Sequence, residues 1–201
     1  MEETTKRKVN PMVEKLLDLN QKHAGKFINS KHSRQIYRVA HPTEISIMKC
    51  MDGRVQLPVM TNTPLGIIQP WRNIGGKFNL GWPHFKETIK EWTDYTVSRG
   101  RSSVVFTTYH YAAGFEGEDQ EVVKNRGCAG HNYDTKKAIE ESYRLKQQFD
   151  RVYSNDTLYA IHCGVETDLD ALVLHGDNGE ILDLAKANFS GTSEVVEALT
   201  T

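Results

Sequence analysis

Apolar and polar positions along the chain predict helices and strands in turn. Residues 11–28 carry Leu16 and Leu19 on one face, which predicts an amphipathic helix. Residues 44–50 collect apolar side chains without strict alternation, which predicts a buried strand. The same reasoning predicts strands at 66–71, 102–111 and 157–166, helices at 84–99 and 134–152, and a hairpin over 171–184.

The intervening segments are predicted to be loops. Residues 29–43 are polar and basic and are interpreted as a connector, and the glycine-containing stretch 112–133 as a loop with one short helix at 118–125. The hairpin is expected to turn at Asp177–Gly179, and a single weak helix is predicted after Lys186.

This order of elements predicts an α/β fold with a mostly parallel central sheet flanked by helices. We expect an N-terminal helical arm at 1–43, a central α/β domain at 44–186 and a C-terminal tail at 187–201. Ligands of such sheets collect where the strands end, at their carboxyl edge.

Composition narrows the classes of function. A net charge of -1 over 201 residues gives no global field that would attract nucleic acid or an anionic membrane. No apolar run approaches the roughly 20 residues of a membrane span, and the first ten residues lack the apolar core of a signal peptide. We therefore expect a cytoplasmic protein, free or within a larger cytosolic assembly.

Two of the three cysteines, together with one histidine, suggest a metal site. Cys50 ends the first predicted strand, His110 lies near the end of the third, and Cys128 follows in the loop. Two thiolates and one imidazole suit zinc and leave a fourth position open, as in catalytic zinc sites. The ligands come from separate elements, so spacing alone also allows buried, unliganded thiols.

The segment CMDGR places Asp52 and Arg54 on the same face as Cys50 if the chain is extended there. An aspartate near a metal-bound water can accept its hydrogen bond, and an arginine beside it keeps that carboxylate ionised and oriented. The alternative is a surface ion pair that follows a buried cysteine.

CMDGR, residues 50–54, resembles the Cys-x-Asp-Ser-Arg signature of β-class carbonic anhydrases, with Gly53 in place of serine. WRNIGG, residues 71–76, is similar to their Arg-Asn-Ala-Gly/Ala segment, and His110 and Cys128 match the later ligands in order. The family separates these two ligands by two residues, whereas seventeen intervene here. This wider spacing most resembles the divergent carboxysome shell branch, and the resemblance covers roughly residues 44–175.

The resemblance implies zinc-dependent, reversible hydration of CO2 to bicarbonate, in which a zinc-bound hydroxide attacks CO2. Cys50, His110 and Cys128 would bind Zn2+, while Asp52 would orient the hydroxide and Arg54 would hold Asp52. It further implies a homodimer or higher homo-oligomer, while the net charge of -1 predicts no nucleic acid or membrane partner. The proposed substrate-binding residues are Gln69, Gly75 and Gly76.

Several alternatives remain open at this point. His131 could be another ligand, a proton shuttle or a loop hydrogen-bonding group, and Gln69 could be a buried structural amide. Cys163 is interpreted as core, because its neighbour His162 would lie on the opposite face of the strand. The same zinc site could serve hydrolysis of COS or CS2, or stabilise a non-catalytic scaffold. A nucleotide-binding protein is disfavoured, because neither GxGxxG nor a P-loop is present.

Overall fold

A computed structural model describes residues 10–114, 126–154, 157–176 and 181–183. The chain divides into two compact units, Met1–His41 and Pro42–Thr201. The described helices are α1 Pro11–Asn29, α2 Lys31–Ala40, α3 Leu57–Met60, α4 Pro83–Ser98 and α5 Thr135–Val152. The described strands are β1 Glu44–Cys50, β2 Ile68–Asn73, β3 Ser103–Ala112, β4 Arg126–Gly127, β5 Leu158–Glu166, β6 Ala171–His175 and β7 Ile181–Asp183.

Three sequence predictions fall outside the described residues: the short helix at 118–125, the turn at 177–179 and the helix of the tail at 187–201. Within the described part of the chain, no helix combines the length and the apolar character needed to cross a bilayer.

The N-terminal unit holds two helices, so the prediction of a connector over 29–43 is wrong. Arg34 on α2 donates hydrogen bonds to the Phe27 carbonyl at 2.7 Å and to the Ser30 hydroxyl, and its guanidinium lies 3.7 Å above the Phe27 ring. These contacts join α2 to the end of α1. The polar and basic sequence of this segment does not indicate them, which is why the helix was not predicted. Neither helix buries a residue.

The second unit is built on one sheet with the strand order β2-β1-β3-β5-β6-β7. The first four strands of that order run parallel, and β6 and β7 continue the sheet as antiparallel strands. The predicted fold class, a mostly parallel sheet flanked by helices with an N-terminal helix, is therefore confirmed. The parallel strands end at one common edge, where the predicted ligands lie.

The two faces of the sheet carry separate apolar layers. On one face, Met48 and Val105 pack with Ile89 of α4 and with Leu145 and Phe149 of α5. On the other face, strand residues pack with the segment that contains Val55 and Leu57 of α3, and Cys163 is fully buried among them. The interpretation of Cys163 as a core residue is thus confirmed. Both layers stabilise the sheet, since each Å² of buried apolar area contributes about 25 cal/mol.

A cluster of polar rings lies beneath α5, on the face of the sheet opposite Cys163. The rings of His162 and His175 stack at 4.4 Å. Ser142 of α5 lies 2.8 Å from His162 Nε2, and the Tyr109 hydroxyl lies 2.8 Å from His175 Nε2. Burial, with the nearby His175 and Lys146, lowers the pKa of His162 to about 3. His162 is therefore neutral in the native protein near neutral pH.

We expect this buried histidine to make the fold acid-sensitive. The unfolded chain binds a proton at His162 below about pH 6.5, while the native state does not until about pH 3. The contribution of His162 to stability is therefore constant above pH 6.5 and falls as the pH decreases, by up to about 3 kcal/mol at pH 4.5. Urea unfolding of the metal-free protein at pH 7 and 4.5 measures this loss, and His162→Gln should show a smaller one. An equal loss in both proteins would contradict the prediction.

Candidate metal centre

Three buried side chains meet at the carboxyl edge of the sheet. Cys50 is the last residue of β1, His110 lies near the end of β3, and Cys128 follows β4. Their candidate ligand atoms all lie within 4.8 Å of one another, and each residue is at most 6% exposed. The structure thus brings together the three predicted ligands, which come from three separate segments.

A two-residue strand returns the chain to this edge after the long segment between His110 and Cys128. Gly127 of β4 pairs with Tyr111 of β3, whose other edge pairs with Glu166 of β5. β4 therefore pairs with the same edge of β3 as β1 does, but further along the strand. That part of the edge is available because the pairing of β1 with β3 ends at Thr107. Cys128 follows at once and therefore lies beside Cys50.

The donor geometry suits a tetrahedral zinc ion. The sulfurs of Cys50 and Cys128 are 3.5 Å apart, and both thiols are free. Two thiolates on one zinc lie about 3.8 Å apart, given Zn–S bonds of about 2.3 Å. The Nε2 atom of His110 is buried and has no hydrogen-bond partner among the described residues. A buried ring nitrogen without a partner is costly unless it binds something, and a metal would satisfy it.

The two thiols differ in how easily they ionise. Burial opposes charge on Cys50, but His110 and the N–H groups of Asp52 and Gly75 together lower its pKa. Burial raises the pKa of Cys128, and the negative charge of Cys50 adds to that rise. One thiolate forms readily, and the second needs a cation nearby, which a divalent metal ion supplies.

Asp52 and Arg54 form a bidentate ion pair beside the ligands. Arg54 donates from Nε to Asp52 Oδ1 at 3.2 Å and from Nη2 to Oδ2 at 3.0 Å, and its backbone N–H reaches Oδ1 at 2.9 Å. These hydrogen bonds lower the pKa of Asp52 to about 2. The carboxylate is therefore ionised at neutral pH and can only accept hydrogen bonds.

Gly75 and Gly76 lie against the first ligand. Both have positive φ, 67° and 65°, a conformation in which glycine is unstrained. A Cβ on Gly76 would lie 3.1 Å from the Thr108 carbonyl oxygen and 3.3 Å from the Cys50 nitrogen. The backbone of this turn therefore packs between the ends of β1 and β3, next to the candidate ligands.

Gln69 lies elsewhere. It is exposed, so the alternative interpretation as a buried structural amide is wrong. It pairs with Ser46, whereas Cys50 pairs with Asn73, four positions further along β2. That separation is roughly 13 Å at 3.3 Å per residue. Within the described chain, Gln69 is not placed beside the three ligands.

Lys49 was missed in the sequence. It is 2% exposed, and its ammonium has no hydrogen-bond partner among the described residues. Burial and the charge of Arg72 lower its pKa to about 8, while Cys50 and Asp52 oppose that shift. The available signal was a lysine inside an otherwise apolar strand, directly before a predicted ligand.

Glu166 was also missed, and it fixes the chain that leaves His110. Its buried carboxylate accepts N–H hydrogen bonds from Ala113 and Asp168 at 3.0 Å and from Leu169 at 2.6 Å. These bonds tie the exit of β3 to the turn after β5. The bonds to Asp168 and Leu169 are local, but no pattern in the sequence indicates the bond to Ala113, which lies 53 positions away.

Comparison with known proteins identifies the fold. The β-carbonic anhydrase CcaA matches with a TM-score of 0.58 at 12% identity, covering 87% of this chain and 92% of that one. A tetrameric β-carbonic anhydrase from the filamentous ascomycete Sordaria macrospora matches with a TM-score of 0.50 at 12% identity, covering 87% and 98%. The β-carbonic anhydrase CafA of Aspergillus fumigatus matches with a TM-score of 0.50 at 13% identity, covering 94% and 96%.

No protein-family model and no curated protein sequence matches this chain. At these low identities the structural likeness establishes a β-carbonic anhydrase fold. The function must be argued from the site itself.

Proposed function

We propose that this protein is a zinc-dependent carbonic anhydrase that catalyses the reversible hydration of CO2 to bicarbonate. One observation carries the proposal: the buried Cys50, His110 and Cys128 lie next to the Asp52–Arg54 ion pair at one edge of a β-carbonic anhydrase fold. A catalytic zinc site needs this combination of three protein ligands, an open fourth position and a group that orients the reactants.

Zn2+ bound by these ligands would lower the pKa of water to about 7 and so supply a nucleophile at neutral pH. The protein's part is to hold and orient the reactants. Asp52 is ionised, so it accepts a hydrogen bond and fixes the direction of the donor that faces it. Arg54 binds both carboxylate oxygens and so limits rotation of Asp52.

The proposal extends to partners. CO2 and bicarbonate are the proposed substrates, with Gly75 and Gly76 as backbone contacts. A homodimer or higher homo-oligomer is also proposed, and one structural neighbour is described as tetrameric. Similarity to the carboxysome shell branch stays a prediction. It rests on the CMDGR segment and on the seventeen residues between His110 and Cys128.

The test measures zinc content and stopped-flow CO2 hydration on one preparation, before chelation, after chelation and after zinc is restored. We expect activity that follows zinc occupancy. COS and CS2 are offered to the same preparation, with sulfide release as the readout. Zinc without CO2 turnover would contradict the proposal and favour a zinc-stabilised scaffold, and preferential sulfide release would favour the sulfur hydrolase.

A further inference from the structure

Two glycine-containing turns touch each other behind the candidate metal centre. One is Ile74–Gly76, which follows β2, and the other is Ala129–His131, which follows Cys128. A Cβ on Gly130 would lie 2.6 Å from both the nitrogen and the Cα of Gly75. The backbones are therefore in direct contact, and the turn after the last ligand packs on the turn beside the first.

His131 joins these turns through its side chain. It is 2% exposed, and its Nε2 lies 2.8 Å from the Gly75 carbonyl oxygen. A carbonyl oxygen only accepts, so Nε2 carries the proton and donates it. Nδ1 is buried without a hydrogen-bond partner among the described residues. Of the three roles considered for His131, the loop hydrogen bond is the one observed.

Gly75 links His131 to the first candidate ligand, Cys50. The turn that contains Gly75 lies against Cys50, since a Cβ on the next residue, Gly76, would lie 3.3 Å from the Cys50 nitrogen. Gly75 holds φ at 67° and ψ at 7°. As a glycine it has no side chain to restrict that conformation, so the hydrogen bond at its carbonyl oxygen limits how the peptide group between Gly75 and Gly76 can rotate.

We propose that His131 is a positioning residue of the metal centre, which holds the Gly75–Gly76 peptide group against the backbone of Cys50 through its own bond to the Gly75 carbonyl. The inference rests on the proposed metal site. His131 lies three residues after Cys128, so one side chain couples the position of the last candidate ligand to the position of the first. Such outer hydrogen bonds tune how strongly a ligand holds its metal.

The experiment compares His131→Gln, His131→Asn and His131→Leu in the full-length chain. The amide nitrogen of glutamine can reach the position of Nε2, whereas asparagine is one bond too short and leucine has no donor. Two readouts are used besides activity: the rate at which a chelator removes cobalt(II), and the energy of the sulfur-to-cobalt charge-transfer band. The energy of this band changes with the surroundings of the thiolate sulfurs.

We expect His131→Leu and His131→Asn to release cobalt about 10–100-fold faster and to shift the band. His131→Gln should behave like the wild type. If His131→Leu does not fold, the pair of amide variants decides, and equal behaviour of glutamine and asparagine overturns the inference. Wild-type kinetics in all three variants also overturns it. A wild-type protein that binds no cobalt or zinc would instead refute the proposed metal site, which is a distinguishable result.

Discussion

Asp52→Asn is expected to lower the rate of CO2 hydration by about 10²–10³-fold while zinc remains bound. Asparagine matches the carboxylate in size, so packing is kept. It replaces one acceptor oxygen by an N–H2 donor, which cannot accept from a donor at the centre, and it removes the charge that Arg54 clamps. Asp52 is not among the three buried ligands, so zinc content should not change. Stopped-flow hydration and metal analysis on the same samples measure both quantities.

Asp94→Asn is the matched control. Asp94 is an exposed aspartate on α4 that pairs with Lys90, as Asp52 pairs with Arg54, but it lies outside the ligand group. The Asp94→Asn variant should have the same CO2 hydration activity as the wild type. If Asp52→Asn keeps full activity, Asp52 and Arg54 are only a surface ion pair, which is the alternative that the sequence left open.

The ion pair could be predicted from the sequence because it is local. Asp52 and Arg54 are two residues apart, and the backbone N–H of Arg54 bonds to the same carboxylate that its side chain clamps. The candidate ligands Cys50 and His110 could be placed for a related reason. Both stand at the ends of strands with strong apolar patterns, and parallel strands bring their carboxyl ends to one edge.

Contacts between distant segments could not be predicted. β4 is two residues long, so no periodicity reveals it, yet its pairing with β3 brings Cys128 to the site. The carboxylate of Glu166 accepts a hydrogen bond from the backbone N–H of Ala113, which lies more than fifty positions away in the chain. The helix α2 was likewise missed, because its stabilising contacts are made by Arg34 to the end of another helix. Patterns in sequence report which face is buried, not which distant group satisfies a polar atom.

Cys128→Ala is expected to weaken zinc binding by about 10²–10³-fold and to remove activity with it. Binding free energies of about 10–16 kcal/mol for four-ligand zinc sites correspond to several kcal/mol per ligand. Losing one sulfur also removes the partner 3.5 Å from Cys50, so the remaining donors no longer enclose a tetrahedral ion. Titration against a chromophoric chelator measures the affinity. The variant tests whether Cys128 is a ligand although seventeen residues separate it from His110.

Cys163→Ala separates the loss of a ligand from the loss of a buried thiol. Cys163 is as deeply buried as Cys128 but packs in the apolar layer, away from the three ligands. Its replacement should lower the free energy of unfolding by about 1–2 kcal/mol, since a small cavity is left, and should leave zinc affinity unchanged. If Cys128→Ala instead retains wild-type zinc affinity, β4 returns the chain to the sheet edge without completing a metal centre. The zinc ligand set would then have to be found elsewhere.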